Sequence, residues 1–356
     1  MKRSFIVILT LFLAISASAQ APANYYNSAS GLIGDQLKVA LHNIIKGHTS
    51  ITYKQIWDAF WSTDNKGNGV VWDMYSDRPN GTPPYTYYLG QNQCGQYDSE
   101  GDCYNREHSW PQSWFNDQTT PRTDLHHIFA TDGFVNNQRN NYPFGEVQSS
   151  PTTWVSQNGS KLGPCKTAGY SGKVFEPIDE YKGDFARAIM YMSVRYYGED
   201  SSWGNSEMTT KSVIKPWAIA MLLRWNELDP VSQKEINRNN VIYSQYQHNR
   251  NPFVDHPEYA RMIWDPSWSV ASIEAEAEIE CYPNPARRGS EIKVDLGNQQ
   301  VDHMTLCDLS GRVLMSMKIK DNKETFILSD KLQSGFYFLH FYHKNRVVVN
   351  KKLLII

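Results

Sequence analysis

The chain has 356 residues, 40% hydrophobic and 20% charged. That is long enough for two folded units and too apolar for a disordered polymer. Net charge is −2 overall, and residues 20–270 hold 21 Lys and Arg against 26 Asp and Glu. This excludes binding of polyanions through bulk charge alone: either basic groups gather on one side, or a bound metal supplies local positive charge.

Lys2 and Arg3 precede an apolar run from Phe5 to Ile15, and Ala17-Ser18-Ala19 ends it with small residues. The run is too short to span a bilayer, so residues 1–19 read as a secretory signal peptide and the mature chain as exported, with no membrane span. Export permits disulfides. Cys94 and Cys103 can close a local bridge in a Gly/Asp/Ser-rich loop, and five cysteines leave at least one thiol unpaired.

Residues 20–270 form the first domain, with helices expected over Asp35 to Ile45, Gly183 to Tyr197, Val213 to Leu228 and Val231 to Asn249. Their apolar stripes read as core. An acidic stretch over residues 271–281 reads as a linker. From 282 to 356, alternating β-branched and aromatic residues between turns such as Ser310-Gly311 and Ser334-Gly335 predict about seven strands and a small all-β sandwich. The fold class is α+β: a mainly helical domain built around a strand–strand–helix motif, then the sandwich.

Ionisable and carboxamide residues gather in two stretches, Tyr104 to Trp114 and Thr123 to Asn141. Arg106 to Trp110 reads as a strand ending before Pro111. Leu125 to Phe129 reads as a second strand. Thr131 reads as the N-cap of a helix from Asp132 to Asn141. These stretches supply what phosphodiester hydrolysis needs. His108 has the pKa of a general base. Glu107 and Asn136 offer a carboxylate and a carboxamide to a hard divalent cation, Mg²⁺ first and Ca²⁺ or Mn²⁺ after it. Arg139 and Arg106 are candidates to hold a phosphate oxygen. Asn140, one helical turn past Asn136, competes for the same face. Arg187, Asn140 and Arg250 are candidate substrate contacts, and Asp124 and His126 candidate braces around the site.

The blocks Asn105 to Trp114, Thr123 to His127 and Val135 to Gly145, continued by Val174 to Pro177, Tyr181 to Arg187 and Gln247 to Pro257, resemble the bacterial secreted endonuclease I family, whose site is a ββα-metal (His-Me finger) motif. The resemblance implies Glu107 and Asn136 as metal ligands and His108 as general base. It also implies cleavage of DNA to 5′-phosphate and 3′-hydroxyl ends with little sequence preference, and leaves RNA open as a second substrate. The chain departs from the family at Arg122, where a further acidic residue is expected. Tyr282 to Ala286, Cys307 to Arg312, Ser334 to Leu339 and Lys351 to Ile356 resemble a type IX secretion sorting domain, which implies the type IX machinery as a partner and release or surface attachment outside the cell. The competing reading is an exported glycan- or surface-binding module without catalysis. A zinc hydrolase using His126 and His127 is disfavoured, because adjacent residues on a strand face opposite ways.

Overall fold

A computed structural model describes residues 21–150, 153–265, 279–308, 313–343 and 346–356. The expected signal peptide, most of the expected linker and the Ser310-Gly311 turn lie outside the described residues. The chain divides into two compact units, residues 1–263 and 264–356.

The first unit is mixed α+β. Its α-helices of seven or more described residues are α1 (Gly34–Ile45), α2 (Gln55–Thr63), α3 (Gly133–Arg139), α4 (Lys182–Arg195), α5 (Pro216–Leu228) and α6 (Gln233–Val241). Helix α4 is buried along its whole length, and α1 and α5 pack on it. The expected amphipathic stripe is therefore a helix covered on every side. Its charged residues are neutralised in place: Lys182 bonds Glu176 at 2.7 Å, and Lys234 of α6 bonds Asp184 at 3.1 Å. The helix expected from Val213 starts at Pro216, because Val213–Ile214 pairs instead with Thr209–Thr210. The last expected helix stays α-helical only to Val241 and continues as a π-helix over Ile242–Gln247.

Strand β1 (Tyr104–His108) pairs antiparallel with β2 (Ile128–Asp132), in the register Asn105 to Thr131, Glu107 to Phe129 and His108 to Ile128. The second strand starts three residues later than expected. Leu125–His127 is a 3₁₀ turn whose first amide groups are drawn into place by Asp124, which accepts from the His126 N–H at 3.1 Å. The cap of α3 is Asp132, whose Oδ1 accepts from Val135 N–H at 2.8 Å, and not Thr131. Strand β2 thus runs directly into α3, which packs on β1. Gly133 sits at that junction because a Cβ there would lie 2.7 Å from the Tyr97 ring and 3.2 Å from Asn105 Nδ2.

The second unit has seven strands: β3 (Glu280–Tyr282), β4 (Glu291–Asp295), β5 (His303–Cys307), β6 (Val313–Lys318), β7 (Lys323–Ile327), β8 (Gly335–His343) and β9 (Arg346–Ile355). They form an antiparallel sheet ordered β3-β4-β7 and another ordered β6-β5-β8-β9. Alternate residues such as Ile292, Val294, Leu306, Leu339 and Phe341 fill one shared apolar core. Strand β3 takes in Glu280 and Cys281, which the sequence placed in the linker.

Candidate active site

Strand β1 is the outer strand of its ribbon, apart from a single bridge from Tyr104 to Gln93. Both its faces therefore border one cleft of about 330 Å³. Tyr53 and Trp57 line it beside Arg106, Asn136, Arg139, Asn140 and Asn141 line it from α3 and its C-terminus, and Glu107, His108 and Gln112 form its floor. Cys94 and Gly95 line it too, and the disulfide expected between Cys94 and Cys103 is present. Cys165, Cys281 and Cys307 are free thiols.

His108 is oriented by a carbonyl. Its Nε2 lies 3.0 Å from the oxygen of Arg122. A carbonyl can only accept, so Nε2 carries the proton and Nδ1 keeps its lone pair. The amide of Gln112 approaches Nδ1 at 3.4 Å. Burial, helped by the neighbouring His127, pushes the imidazole down to about 3, so the ring is neutral.

Glu107 is buried, and burial raises its carboxyl, against the opposing pull of Arg139 and the Tyr75 hydroxyl. Tyr75 donates to Oε1 at 2.7 Å and Arg139 to the same oxygen at 3.1 Å. No group among the described residues donates to Oε2. Asn136 donates through Nδ2 to Asn105 Oδ1 at 2.7 Å, which leaves its own Oδ1 unengaged. Among the described residues, Glu107 Oε2 and Asn136 Oδ1 thus lie at the cleft without protein partners, the donor types a hard cation takes.

Arg139 corrects an expectation. Its guanidinium is 1% exposed and donates to Glu107, to the His108 carbonyl at 2.9 Å and to the Ser109 carbonyl at 2.6 Å. It lines the cleft but spends NH1 and NH2 on protein acceptors, which brace the metal-ligand candidate and the base. Arg106 fits the phosphate role better. It is half-buried on the cleft wall, stacks on Tyr53 with 3.6 Å from guanidinium carbon to ring centre, and uses only NH1, to the Tyr53 carbonyl at 2.8 Å. Asn140 ends α3 with φ +50°, accepts from Asn141 N–H and lines the cleft, so it leaves the helical face that Asn136 occupies.

Arg187 and Arg250 are also corrected as substrate contacts. Arg187 is fully buried and grips Glu235 through Nε and NH2 at 2.5 and 2.8 Å. Arg250 is 1% exposed and grips Asp255 through the same two nitrogens, both at 2.7 Å. Neither lines the cleft. Asp124 and His126 lie fully buried outside the lining. Asp124 accepts from Tyr191, Tyr196 and Gln247 at 2.9 to 3.0 Å, and His126 Nε2 meets the Asn249 carbonyl at 3.2 Å. They brace the segment that leads into β2. The sequence reading missed Tyr75, Tyr53 and Gln112. Only Gln112, four residues after His108, left a local signal.

Residues 33–258 match the Endonuclease I family. The chain belongs to the endonuclease I family. It is 39% identical over 267 residues to an extracellular ribonuclease of Bacillus amyloliquefaciens, covering 72% of this chain and 84% of the relative. It is 37% identical over 265 residues to an extracellular ribonuclease of Bacillus subtilis (strain 168), covering 71% and 83%. A 133-residue stretch is 29% identical to an Endonuclease-1 of Buchnera aphidicola subsp. Baizongia pistaciae, covering 37% and 46%. Residues 280–356 match a secretion system C-terminal sorting domain. This family member is therefore a nuclease, a phosphodiester hydrolase carrying a secretion signal at its C-terminus and acting outside the cell. The reading of a non-catalytic binding module falls. No helix among the described residues is long and apolar enough to cross a membrane.

Proposed function

We propose that the cleft hydrolyses phosphodiester bonds in both RNA and DNA with little sequence preference, leaving 5′-phosphate and 3′-hydroxyl ends. The observation that carries the mechanism is the Arg122 carbonyl on His108 Nε2, which makes Nδ1 the basic atom. Nδ1 takes the proton of the attacking water; burial keeps the ring neutral at rest but also lowers its basicity below the value its residue type predicts. Glu107 and Asn136 would hold a divalent cation through Oε2 and Oδ1, with Mg²⁺ favoured and Ca²⁺ or Mn²⁺ as alternatives. One carboxylate, one carboxamide and water would make up such a donor set. When bound, the cation supplies positive charge to the pentacovalent phosphate and the leaving 3′ oxygen. Arg139 keeps Glu107 and His108 in fixed relation, and Arg106 offers Nε and NH2 to a phosphate oxygen. The Bacillus relatives are extracellular ribonucleases, which supports RNA as a substrate, and the Endonuclease-1 relative supports nuclease action of the wider family.

The test incubates the full mature chain with supercoiled plasmid and with a folded RNA, in Mg²⁺ and in EDTA, beside His108→Ala. Cleavage of both substrates that EDTA abolishes, and that drops on the order of 10²–10⁴-fold in the variant, is expected. A well-folded wild type that cuts neither substrate, or a variant that cuts as fast as wild type, would sink this reading.

A further inference from the structure

Three aromatic residues recur every fourth position on and before α2: Tyr53, Trp57 and Trp61. Helical spacing puts Trp57 and Trp61 on one side of α2, about 6 Å apart along its axis, and Tyr53 lies in the turn just before it. The first two belong to the cleft. The Tyr53 ring stacks beside the His108 ring, 6.1 Å between centres and 26° between planes. Tyr53 carries Arg122 at 4.3 Å and Arg106 at 3.6 Å, and Arg106 reaches on to the Trp57 ring at 4.6 Å.

The third ring continues the row out of the cleft. Trp61 is 51% exposed, and its indole N–H has no partner among the described residues. The ring lies against two turns made bare by glycine: a Cβ on Gly90 would stand 3.2 Å from it, and one on Gly69 3.8 Å. Tyr88, just before Gly90, is 45% exposed. Trp110 and Trp225 show what the fold does with tryptophans it packs, for both are fully buried. A single exposed aromatic needs no explanation. A row that starts beside the catalytic histidine, alternates with guanidinium groups and ends on an open indole matches the stacking platforms that hold unpaired bases.

Charge points the same way. The nuclease segment is net negative, with 21 Lys and Arg against 26 Asp and Glu over residues 20–270. A duplex, held mainly through its phosphates, is poorly served by such a surface. Bases stacked on rings need less field, and bases inside a duplex are not free to stack.

Resting on the proposed function of the cleft, we infer that Tyr53, Trp57 and Trp61 form a stacking track that leads single-stranded nucleic acid into the site and makes unpaired strands its preferred substrate. Trp61 is the specificity-determining residue of that track, since the other two also support His108 and Arg106. Stacking does not read the sugar, so the preference covers RNA and DNA strands alike.

The experiment uses the full mature chain with His108→Ala in Mg²⁺, so that strands are bound and not cut. Fluorescence anisotropy reads the binding of a labelled 12-nucleotide RNA, the DNA strand of the same sequence, and its 12-base-pair duplex. Both single strands are expected to bind more tightly than the duplex. Adding Trp61→Ala weakens them on the order of 10-fold and weakens the duplex far less, while Trp61→Phe keeps most of the affinity. Equal binding of single strands with and without Trp61→Ala, equal losses on strand and duplex, or no preference for single strands would overturn the track. RNA bound without the DNA strand would overturn it as a stacking device. Plasmid and RNA cleavage by the wild type decides the catalytic reading separately, so the two can fail independently.

Discussion

The two units of this chain fill their interiors in opposite ways. The sorting domain closes on an apolar core, and Thr305 is the buried polar side chain among its described residues. The nuclease domain buries Arg139, Arg187 and Arg250 and meets each with a carboxylate. An apolar core tolerates sliding and repacking as long as volume is kept. A buried guanidinium tolerates neither, because a displaced partner leaves a charge without compensation. The unit that has to hold Glu107, His108 and Asn136 in fixed relation is the one built with the less forgiving interior.

The sharpest way to break this contrast is to remove one half of a buried pair. Arg187→Met leaves Glu235 inside the fold without its partner and should lower stability by about 3–5 kcal/mol, read from urea unfolding of the full chain. Replacing both residues, as Arg187→Met with Glu235→Leu, should recover most of that loss. If the single variant unfolds at the wild-type midpoint, the pair is not structural and Arg187 returns as a candidate substrate contact.

A smaller effect comes from proton uptake. Burial, with the neighbouring Asp184, raises Asp229 to about 7, and burial with Asp132 raises Asp73 to about 7. Both folded values lie above the unfolded value near 4. At these two carboxyls the folded chain therefore binds more protons than the unfolded one between about pH 4 and 7, and their contribution to stability declines as pH rises through that window and levels off above it, while His108, His126 and His127, held below the ordinary imidazole value by burial, act in the opposite direction below about pH 6.5. One carboxyl contributes a slope of at most about 1.4 kcal/mol per pH unit, and Asp229, being partly exposed, contributes less. Asp229 accepts from Gly183 N–H through one oxygen at 2.7 Å, which an asparagine can replace. Asp229→Asn should flatten the decline, gaining on wild type at pH 8 relative to pH 5 in thermal melts. A variant curve parallel to wild type would show that the carboxylate is ionised throughout.

The smallest effect belongs to the sorting domain. Lys323 meets Asp295 at 2.9 Å across β7 and β4, but its side chain is 78% exposed. Lys323→Ala should leave the melting temperature unchanged, and a clear drop would mean that surface pairs matter in this unit as buried ones do in the other.

How much of this was legible depends on how far apart in the chain the interacting groups lie. Glu107, His108, Asn136 and Arg106 fall in two compact stretches, and strand alternation with helical spacing was enough to bring them to one place. The sandwich was legible because its strands alternate by twos and are punctuated by turns. The role of Arg187 was not, because its partner Glu235 lies 48 positions away and neither residue carries a mark of the other. Tyr75, 32 positions before Glu107, was hidden for the same reason. The late start of β2 follows from Asp124 drawing Leu125–His127 into a 3₁₀ turn, a local competition that apolar periodicity does not register. Arg122 looked like a lost acidic residue. Its contribution to His108 is a main-chain carbonyl, which any residue type supplies.

The bracket formed by Arg139 has a consequence for genetics. One guanidinium touches the carboxylate arm of the site at Glu107 and the main chain of its base at His108 and Ser109. The two arms share one joint, so lesions in them do not report on separate parts. Once Arg139 has been replaced, a second replacement at Glu107 should cost much less than it does in the wild-type chain, and the defects measured singly will sum to more than the defect of the pair.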